Sequence, residues 1–387
     1  MYLYTLKENF SNMKTNYILD HIQTAVGKIP QVATKLSYKD HLGTLKVRWL
    51  IGRDNYKVEP GLFAVGNPTG LSNVFVTANY KLSFDHLRKN LVGLNAWILV
   101  LDTKGINVWC AAGKGTFGTK ELINRIKLTK LDLIVTHRKL IVPQLGATGV
   151  SAHEVKEGTC NIQSGLVVAS PTVQPDINSL NIEPSKINLN RGFNVIFGPV
   201  RASDIKSFID NGYRSTNEMR KVTFNLLDRI KLTPVDFVYA RYKLLAAFAL
   251  VFIVSGLNRS GISFSQAIDK GFSAILNIFL AYLAGIVITP ILLPYLPFKK
   301  FAFKGLVCGL ILSAILYCLN KLGDNYFEIS SWILIISGIS SFMAMNFTGA
   351  STFTSLSGVK KEMKVAVPVQ ISFALVGLIL LIISKVF

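Results

Sequence analysis

The chain has 387 residues, a formal net charge of +20 and a mean hydropathy of +0.40. Its basic residues are scattered or flank apolar runs, with no Arg-rich arm or RNA-binding motif, so the charge points to a lipid surface and away from nucleic acid. The four cysteines, Cys110, Cys160, Cys308 and Cys318, show no CxxC spacing, which excludes a disulfide framework, a four-cysteine zinc site and an iron–sulfur cluster held by this chain.

Residues 1–236 carry 30 Lys+Arg and 18 Asp+Glu, whereas residues 237–387 carry 12 and 4. The first 20 residues contain no apolar core of signal length, so the soluble half is expected in the cytoplasm. We read 1–43 as an N-terminal extension, 44–236 as one soluble domain and 237–387 as a membrane domain. Strand-like apolar runs fall at 44–52, 62–66, 73–79, 96–102, 131–137, 139–143, 165–170 and 193–200. Helical patterns fall at 83–94, 118–128 and 201–212, the last ending at Gly212. This alternation predicts an α/β, Rossmann-like layer fold with a largely parallel sheet. Residues 171–190, rich in Pro, Asn and Ser, read as a linker. Ligands of such sheets bind on loops at the carboxyl ends of strands. Four stretches occupy such places: "TANYKLSFD", "DTKGINVWCAAGKGTFGT", "PQLGATGVSAHE" and "GPVRASD".

The membrane half reads as an all-α domain of five transmembrane helices, at about 241–257, 272–293, 302–320, 329–347 and 365–386. Pro368 falls in the first turn of the fifth span as predicted, where proline is tolerated. Ten basic residues, from Arg229 to Lys364, lie on one side of these spans, against Arg259, Lys270, Lys321 and Lys385 on the other. The positive-inside rule then predicts a multi-pass protein of the cytoplasmic membrane, soluble domain inside and C-terminus outside. No Asp, Glu or His falls mid-span, which favours an anchor over a pump. Gly305 and Gly309 form a GxxxG that suits close helix packing.

"NVWCAAGK" (107–114) sets a lone cysteine among small residues in one of the ligand-prone loops. A buried small hydrophobe is the ordinary use of a free cysteine. A nucleophile needs a nearby histidine, and none of the five carries a protease-like local signature. "GKGT" (113–116) is not a Walker loop, because Val108 and Gly115 stand where Gly and Ser or Thr are required. A third use is as a metal ligand. A free thiol titrates near about 8.5, and a helix N-terminus supplies only about 0.3–1 kcal/mol toward the thiolate. A bound metal deprotonates a coordinating thiol outright. One cysteine does not hold a bare ion, so such a metal would arrive already chelated in a macrocycle.

These eight residues resemble the cap-helix signature of the mercury-methylating corrinoid protein family (HgcA). That family's soluble domain is similar to the corrinoid-binding domain of the corrinoid iron–sulfur protein of the acetyl-CoA pathway. The likeness runs from about Leu45 to Ile209, through "PGLFAVGNP", "VTANYKLSFDHLR", "AWILVLDTKGINVWCAAGKGTFGT", "PQLGATGVSAHEVK" and "GPVRASDI". The resemblance implies a cobalamin or related corrinoid, with Cys110 as the lower axial thiolate to cobalt. It implies a cap helix under the corrin ring shaped by Asn107, Val108, Trp109, Ala111, Ala112, Gly113 and Lys114. It places Thr77 near the corrin, and Gly146, Ala147, Thr148, Gly149, His153, Gly198, Pro199 and Arg201 around the corrinoid or its tail. A thiolate opposite the methyl group favours its release as a carbanion equivalent, for which soft Hg(II) is a suitable acceptor. The implied activity is a membrane-anchored methyltransferase forming methylmercury. Its implied partners are a methyl-donor methyltransferase system and a small ferredoxin with two [4Fe–4S] clusters, which supplies electrons. Two alternatives stand beside it: a corrinoid methyl carrier of one-carbon and acetyl-CoA metabolism, and a non-catalytic membrane corrinoid-binding protein.

Overall fold

The computed structural model describes residues 17–160, 192–259, 261–347 and 356–386, which divide into two compact units. The expected strand at 165–170 and the expected linker at 171–190 lie outside the described residues.

The first unit is an α/β domain around a seven-stranded mixed sheet. Its elements in chain order are β1 (Ile18–Thr24), β2 (Gly27–Val32), α1 (Tyr38–Arg48), β3 (Gly61–Val65), β4 (Asn73–Ala78), α2 (Lys81–Lys89), β5 (Ala96–Leu101), α3 (Val108–Lys114), α4 (Thr119–Thr129), β6 (Lys139–Val142), α5 (Ala152–Thr159), β7 (Asn194–Phe197) and α6 (Ile205–Asp210). The strand order is β1-β2-β3-β5-β4-β6-β7. β5, β4, β6 and β7 run parallel, so their carboxyl ends share one edge. β3 runs antiparallel to β5, and β1 antiparallel to β2, so the sheet is less uniformly parallel than the sequence suggested.

Strand alternation sorts the core into two layers. Val74, Val76, Ala78, Trp97, Leu99 and Leu101 face a layer completed by Val108, Ala111 and Ala112 of α3, Leu122 and Ile126 of α4, and Val155 of α5. Phe75, Ile98 and Val100 face the other layer, with Phe84 and Leu87 of α2 and Ile205 and Phe208 of α6.

Three expectations are corrected. The run at 44–52 is not a strand. Ser37 and Asp40 form a reciprocal capping box: the Asp40 N–H donates to Ser37 Oγ (3.3 Å) and the Ser37 N–H to Asp40 Oδ2 (2.9 Å). That box starts α1, which carries the chain through Arg48 as helix. The run at 131–137 is a helical turn (Leu131–Leu133) followed by coil, because Lys130 at φ 47° ends α4 and redirects the chain. Its Leu131 and Val135 still fill the core. Residues 18–32, read only as extension, form a β-hairpin whose turn uses Gly27 at φ 116°.

The second unit is helical: α7 (Leu226–Ile230), α8 (Thr233–Tyr239), α9 (Arg241–Ser255), α10 (Phe264–Leu283), α11 (Thr289–Leu292), α12 (Phe301–Cys318), α13 (Tyr326–Asn346) and α14 (Leu356–Val386), with a short ribbon of β8 (Leu257–Asn258) and β9 (Gly261–Ile262). α10 continues through a π-type turn (Ala284–Ile288) into α11. Among the described residues, four helices are long and apolar enough to cross a membrane: 264–292, 301–318, 326–346 and 358–385. A fifth is reached if the pair 226–239 and 241–255, bent by 58°, counts as one span. The GxxxG seats α12 on α13. A Cβ on Gly305 would lie 2.5 Å from Ala344 Cβ, and one on Gly309 would lie 2.7 Å from Ser337 Cα. α14 begins nine residues before the expected span, so Pro368 stands inside a helix and not in its first turn. There it removes one intrahelical N–H donor.

Candidate functional site

The shared carboxyl edge of β4, β5, β6 and β7 gathers the four ligand-prone loops, in the place that open α/β sheets use for ligands. The loop after β5 leads into α3, the seven-residue cap helix. Asn107 is its N-cap: the backbone is extended, and Oδ1 accepts the Cys110 N–H at 2.9 Å. Gly115, at φ 78°, ends the helix, and the Thr116 and Phe117 N–H groups both donate to Ala111 O.

The helix is two-faced at helical spacing. Val108, Ala111 and Ala112 are buried in the core, while Trp109, Cys110, Gly113 and Lys114 are exposed. The cap residues expected from the sequence therefore divide into a packing stripe and an open face, and Cys110 belongs to the open face. Cys110 is thus not a packing cysteine. Trp109 is 44% exposed, an unusual state for so large an apolar ring.

Gly113 is informative. Its φ is not in the left-handed region, and a Cβ built there meets nothing within 4 Å. Neither the backbone nor protein packing calls for glycine, which costs about 1 kcal/mol against alanine in a helix. Gly146 and Gly149 differ. A Cβ on Gly146 would strike Phe117 Cε1 at 2.4 Å, and one on Gly149 would strike Phe117 O at 2.2 Å and approach Ala112 Cα at 3.1 Å. These two glycines let the loop after β6 pack behind the cap helix. Ala147 is half-buried and Thr148 exposed in the same loop.

His153 is an exposed side chain on α5, with Nε2 3.4 Å from Glu157 Oε1. Gly198 follows β7, and its N–H donates to Val142 O at 2.8 Å; Pro199 is buried and Arg201 exposed. Thr77 is buried near the end of β4, paired in register with Val100. By alternation its side chain belongs to the Phe75 face, opposite the layer on which α3 packs. The structure thus brings 107–114 and 146–149 together directly, and gathers Thr77, His153 and 198–201 only along the same edge.

Sequence reasoning missed Asn79, one residue beyond β4 and 2% exposed. Its Oδ1 accepts the N–H groups of Thr103 (3.1 Å) and Gly105 (2.9 Å), and its Nδ2 donates to Asp102 Oδ1 (3.3 Å). The Thr103 hydroxyl lies 2.9 Å from Asn79 Oδ1 and 2.6 Å from Ile106 O. One buried amide therefore holds the whole turn that delivers Asn107 to the cap. That turn contains two left-handed residues, Lys104 (φ 58°) and Gly105 (φ 74°). Asp102 braces it further: burial pushes its carboxyl up, but hydrogen bonds from the Lys104 side chain and backbone outweigh this and hold it below the usual carboxylate range.

A buried ion cluster begins two residues later. Lys81 Nζ donates to Asp40 Oδ1 and Asp85 Oδ2, both at 2.7 Å. Arg88 donates through Nη2 to Asp40 Oδ2 (2.8 Å) and through Nε to Asp85 Oδ1 (2.7 Å). The two cations and two carboxylates satisfy one another, which is the condition for keeping such charges buried. Burial raises the Asp40 carboxyl, but hydrogen bonds from Lys81 and Ser37 prevail and hold it well below its usual range. Among the described residues, no three His, Cys, Asp or Glu side chains converge to hold a metal ion.

Comparison with known proteins places the likeness on this site. Residues 40–165 match the family model described as CO dehydrogenase/acetyl-CoA synthase delta subunit. The chain is 34% identical over 108 residues to the acetyl-CoA decarbonylase/synthase complex subunit gamma of Archaeoglobus fulgidus, covering 27% of this chain and 23% of that one. It is 35% identical over 109 residues to the same subunit of Methanocaldococcus jannaschii, covering 27% and 22%. For the subunit of Methanopyrus kandleri the figures are 31% over 109 residues, 28% and 23%. The chain is similar to these archaeal subunits over a stretch spanning less than a quarter of their length.

Proposed function

We propose that the first unit binds a corrinoid on the open face of the cap helix and serves methyl-group transfer. The observation that carries this is the pairing of an outward Cys110 with a Gly113 that the protein's own packing does not require. The donor set fits the group: a corrin ring brings four nitrogen ligands of its own, so one soft donor such as the Cys110 thiol would be enough to hold it. Cys110 would hold the cobalt, Gly113 would leave room for the ring, Trp109 would offer an apolar wall, and Asn107 would fix the register of the thiol. When bound, the corrinoid supplies the methyl-transfer chemistry, and the protein supplies ligand, orientation and access.

The likeness to acetyl-CoA decarbonylase/synthase subunits supports a methyl carrier of one-carbon metabolism. The finer reading, transfer to Hg(II) with a small two-cluster ferredoxin and a methyl-donor system as partners, rests on the resemblance of 107–114 to the mercury-methylating family. We place the helical unit in the cytoplasmic membrane as an anchor, with the first unit inside. Its long apolar helices and one-sided lysines support that placement.

The test is the absorption spectrum of bound corrinoid in the full chain. Replacing Cys110 by Ala should change it, and an unchanged spectrum removes the axial-ligand reading. Deleting the gene separates the acceptors: loss of Hg(II) methylation supports the mercury reading, and persistence leaves the carrier.

A further inference from the structure

The helical unit contains a pocket between α12, α13 and α14 that the methyl-transfer reading does not use. It is an open slot, with about 450 Å³ of empty space when the solvent at its mouth is included. Its walls are apolar: Phe303 and Leu306 from α12, and Val365, Ala366, Val369 and Phe373 from α14. Its floor is polar. Gln370 Nε2 donates to Ser341 Oγ at 2.9 Å, and the Ser341 hydroxyl donates to Ala302 O at 2.9 Å. That chain of donors fixes the Gln370 amide orientation and leaves Oε1 without a hydrogen-bond partner, although the residue is 94% buried. That oxygen is itself sealed from solvent, so the amide belongs to the packing beneath the apolar walls.

Charge at the mouth is one-sided. Lys300 lines the pocket, its Nζ 5.7 Å from the centroid of the Phe303 ring, and Lys299 precedes it; on α14 the exposed Lys360, Lys361 and Lys364 stand next in sequence to the lining residues Glu362 and Val365. The single acidic residue in 293–306 and 356–370 is Glu362. It is buried, lines the pocket itself, and its Oε1 is engaged by the Ala302 N–H at 2.6 Å at the start of α12. Held by that bond, it does not reach the surface as a counter-ion for the exposed lysines of these two segments.

We propose that this pocket is a specific site for an anionic phospholipid, acyl chain against the apolar walls and phosphate among the lysines. An apolar slot below a cationic rim matches the polarity gradient of a phospholipid, and each lysine near an anionic headgroup adds attraction. The inference rests on the membrane placement of this unit and names the ligand of one place within it.

The experiment uses the full chain purified in detergent, with retention of phosphatidylglycerol and phosphatidylcholine measured by native mass spectrometry. Phosphatidylglycerol should be retained about tenfold better than phosphatidylcholine. Lys300→Gln combined with Lys361→Gln, both exposed, should bring that ratio to about one. Ala366→Trp should fill the slot and release both lipids. Equal retention of the two lipids by the unaltered chain overturns the proposal, as does undiminished binding by a folded Ala366→Trp protein. Alkaline washing of membranes keeps the two levels apart. Release of the chain into the supernatant overturns the membrane placement and the site together, whereas retention with equal lipid binding overturns the site alone.

Discussion

Asn107 Oδ1 accepts the backbone N–H of Cys110 at 2.9 Å, so the N-cap of the cap helix is bonded to the residue whose thiol we propose as the corrinoid ligand. The helix has only seven residues and two full turns at most, so its first turn is a large part of its stability. Asn107→Ala should cost about 1 kcal/mol and leave the Cys110 N–H unpaired. Thermal unfolding of the full chain should register the loss. The spectrum of bound corrinoid should shift toward that of Cys110→Ala, and Asn107→Asp, which keeps an acceptor, should restore both. A normal spectrum in Asn107→Ala would separate helix capping from ligand placement and refute the link.

Asn79 carries a heavier structural role. Replacing it by Leu keeps the approximate volume but strands the Thr103 and Gly105 N–H groups, each costing about 1–3 kcal/mol when buried without a partner. We expect a loss of about 3 kcal/mol in urea unfolding of the first unit. Corrinoid affinity should fall further than this stability loss explains, because the turn at 102–106 sets where Asn107 enters the cap. Intact affinity in a destabilised Asn79→Leu protein would show that the cap helix finds its place without that turn.

The Asp40–Lys81–Asp85–Arg88 cluster gives a pH prediction. Asp40 titrates below its ordinary value of 3.8 in the fold. Such a carboxyl adds stability that is complete above the unfolded pKa and is lost as the pH falls through the folded one. Stability of the first unit should therefore decline on the acid side, from about pH 4 downward. Asp40→Asn should lower stability at neutral pH by about 3 kcal/mol, since it leaves the buried Lys81 and Arg88 short of a counter-charge. It should also flatten the acid limb. Denaturant unfolding at a series of pH values checks both, and an unchanged acid limb in Asp40→Asn would exclude this carboxyl as its source.

What could be read from the sequence was whatever local pattern alone determines. β3, β4, β5 and β6 are short, unbroken apolar runs, and their positions were legible to within a residue or two. The cap block was legible as a unit because its residue types are unusual. Pairing direction was not: nothing in "GLFAV" states that β3 runs against β5. The misread run at 44–52 had a visible remedy, since Ser37-Tyr-Lys-Asp40 has the spacing of a capping box. Asn79 left no such trace. An asparagine after a strand is ordinary, and only the fold shows three residues of the next loop converging on its side chain. Likewise the glycines at 113, 146 and 149 look alike in sequence, and only their surroundings separate packing from open space.

That contrast supplies the last prediction. At Gly149 a Cβ would collide with Phe117 O and crowd Ala112, so Gly149→Ala should destabilise the cap by displacing the loop behind it. At Gly113 no atom beyond its own helical turn lies within 4 Å of a Cβ, and the backbone is helical, so Gly113→Ala should stabilise the corrinoid-free chain by up to about 1 kcal/mol. If a ring lies against this turn, Gly113→Leu should weaken corrinoid binding at least tenfold while leaving the free protein no less stable. Gly149→Ala should show the reverse order, losing stability before affinity. Equal corrinoid affinity in Gly113→Leu and the unaltered chain would mean that the open face of the cap is not where the ring rests, even with Cys110 pointing outward from it.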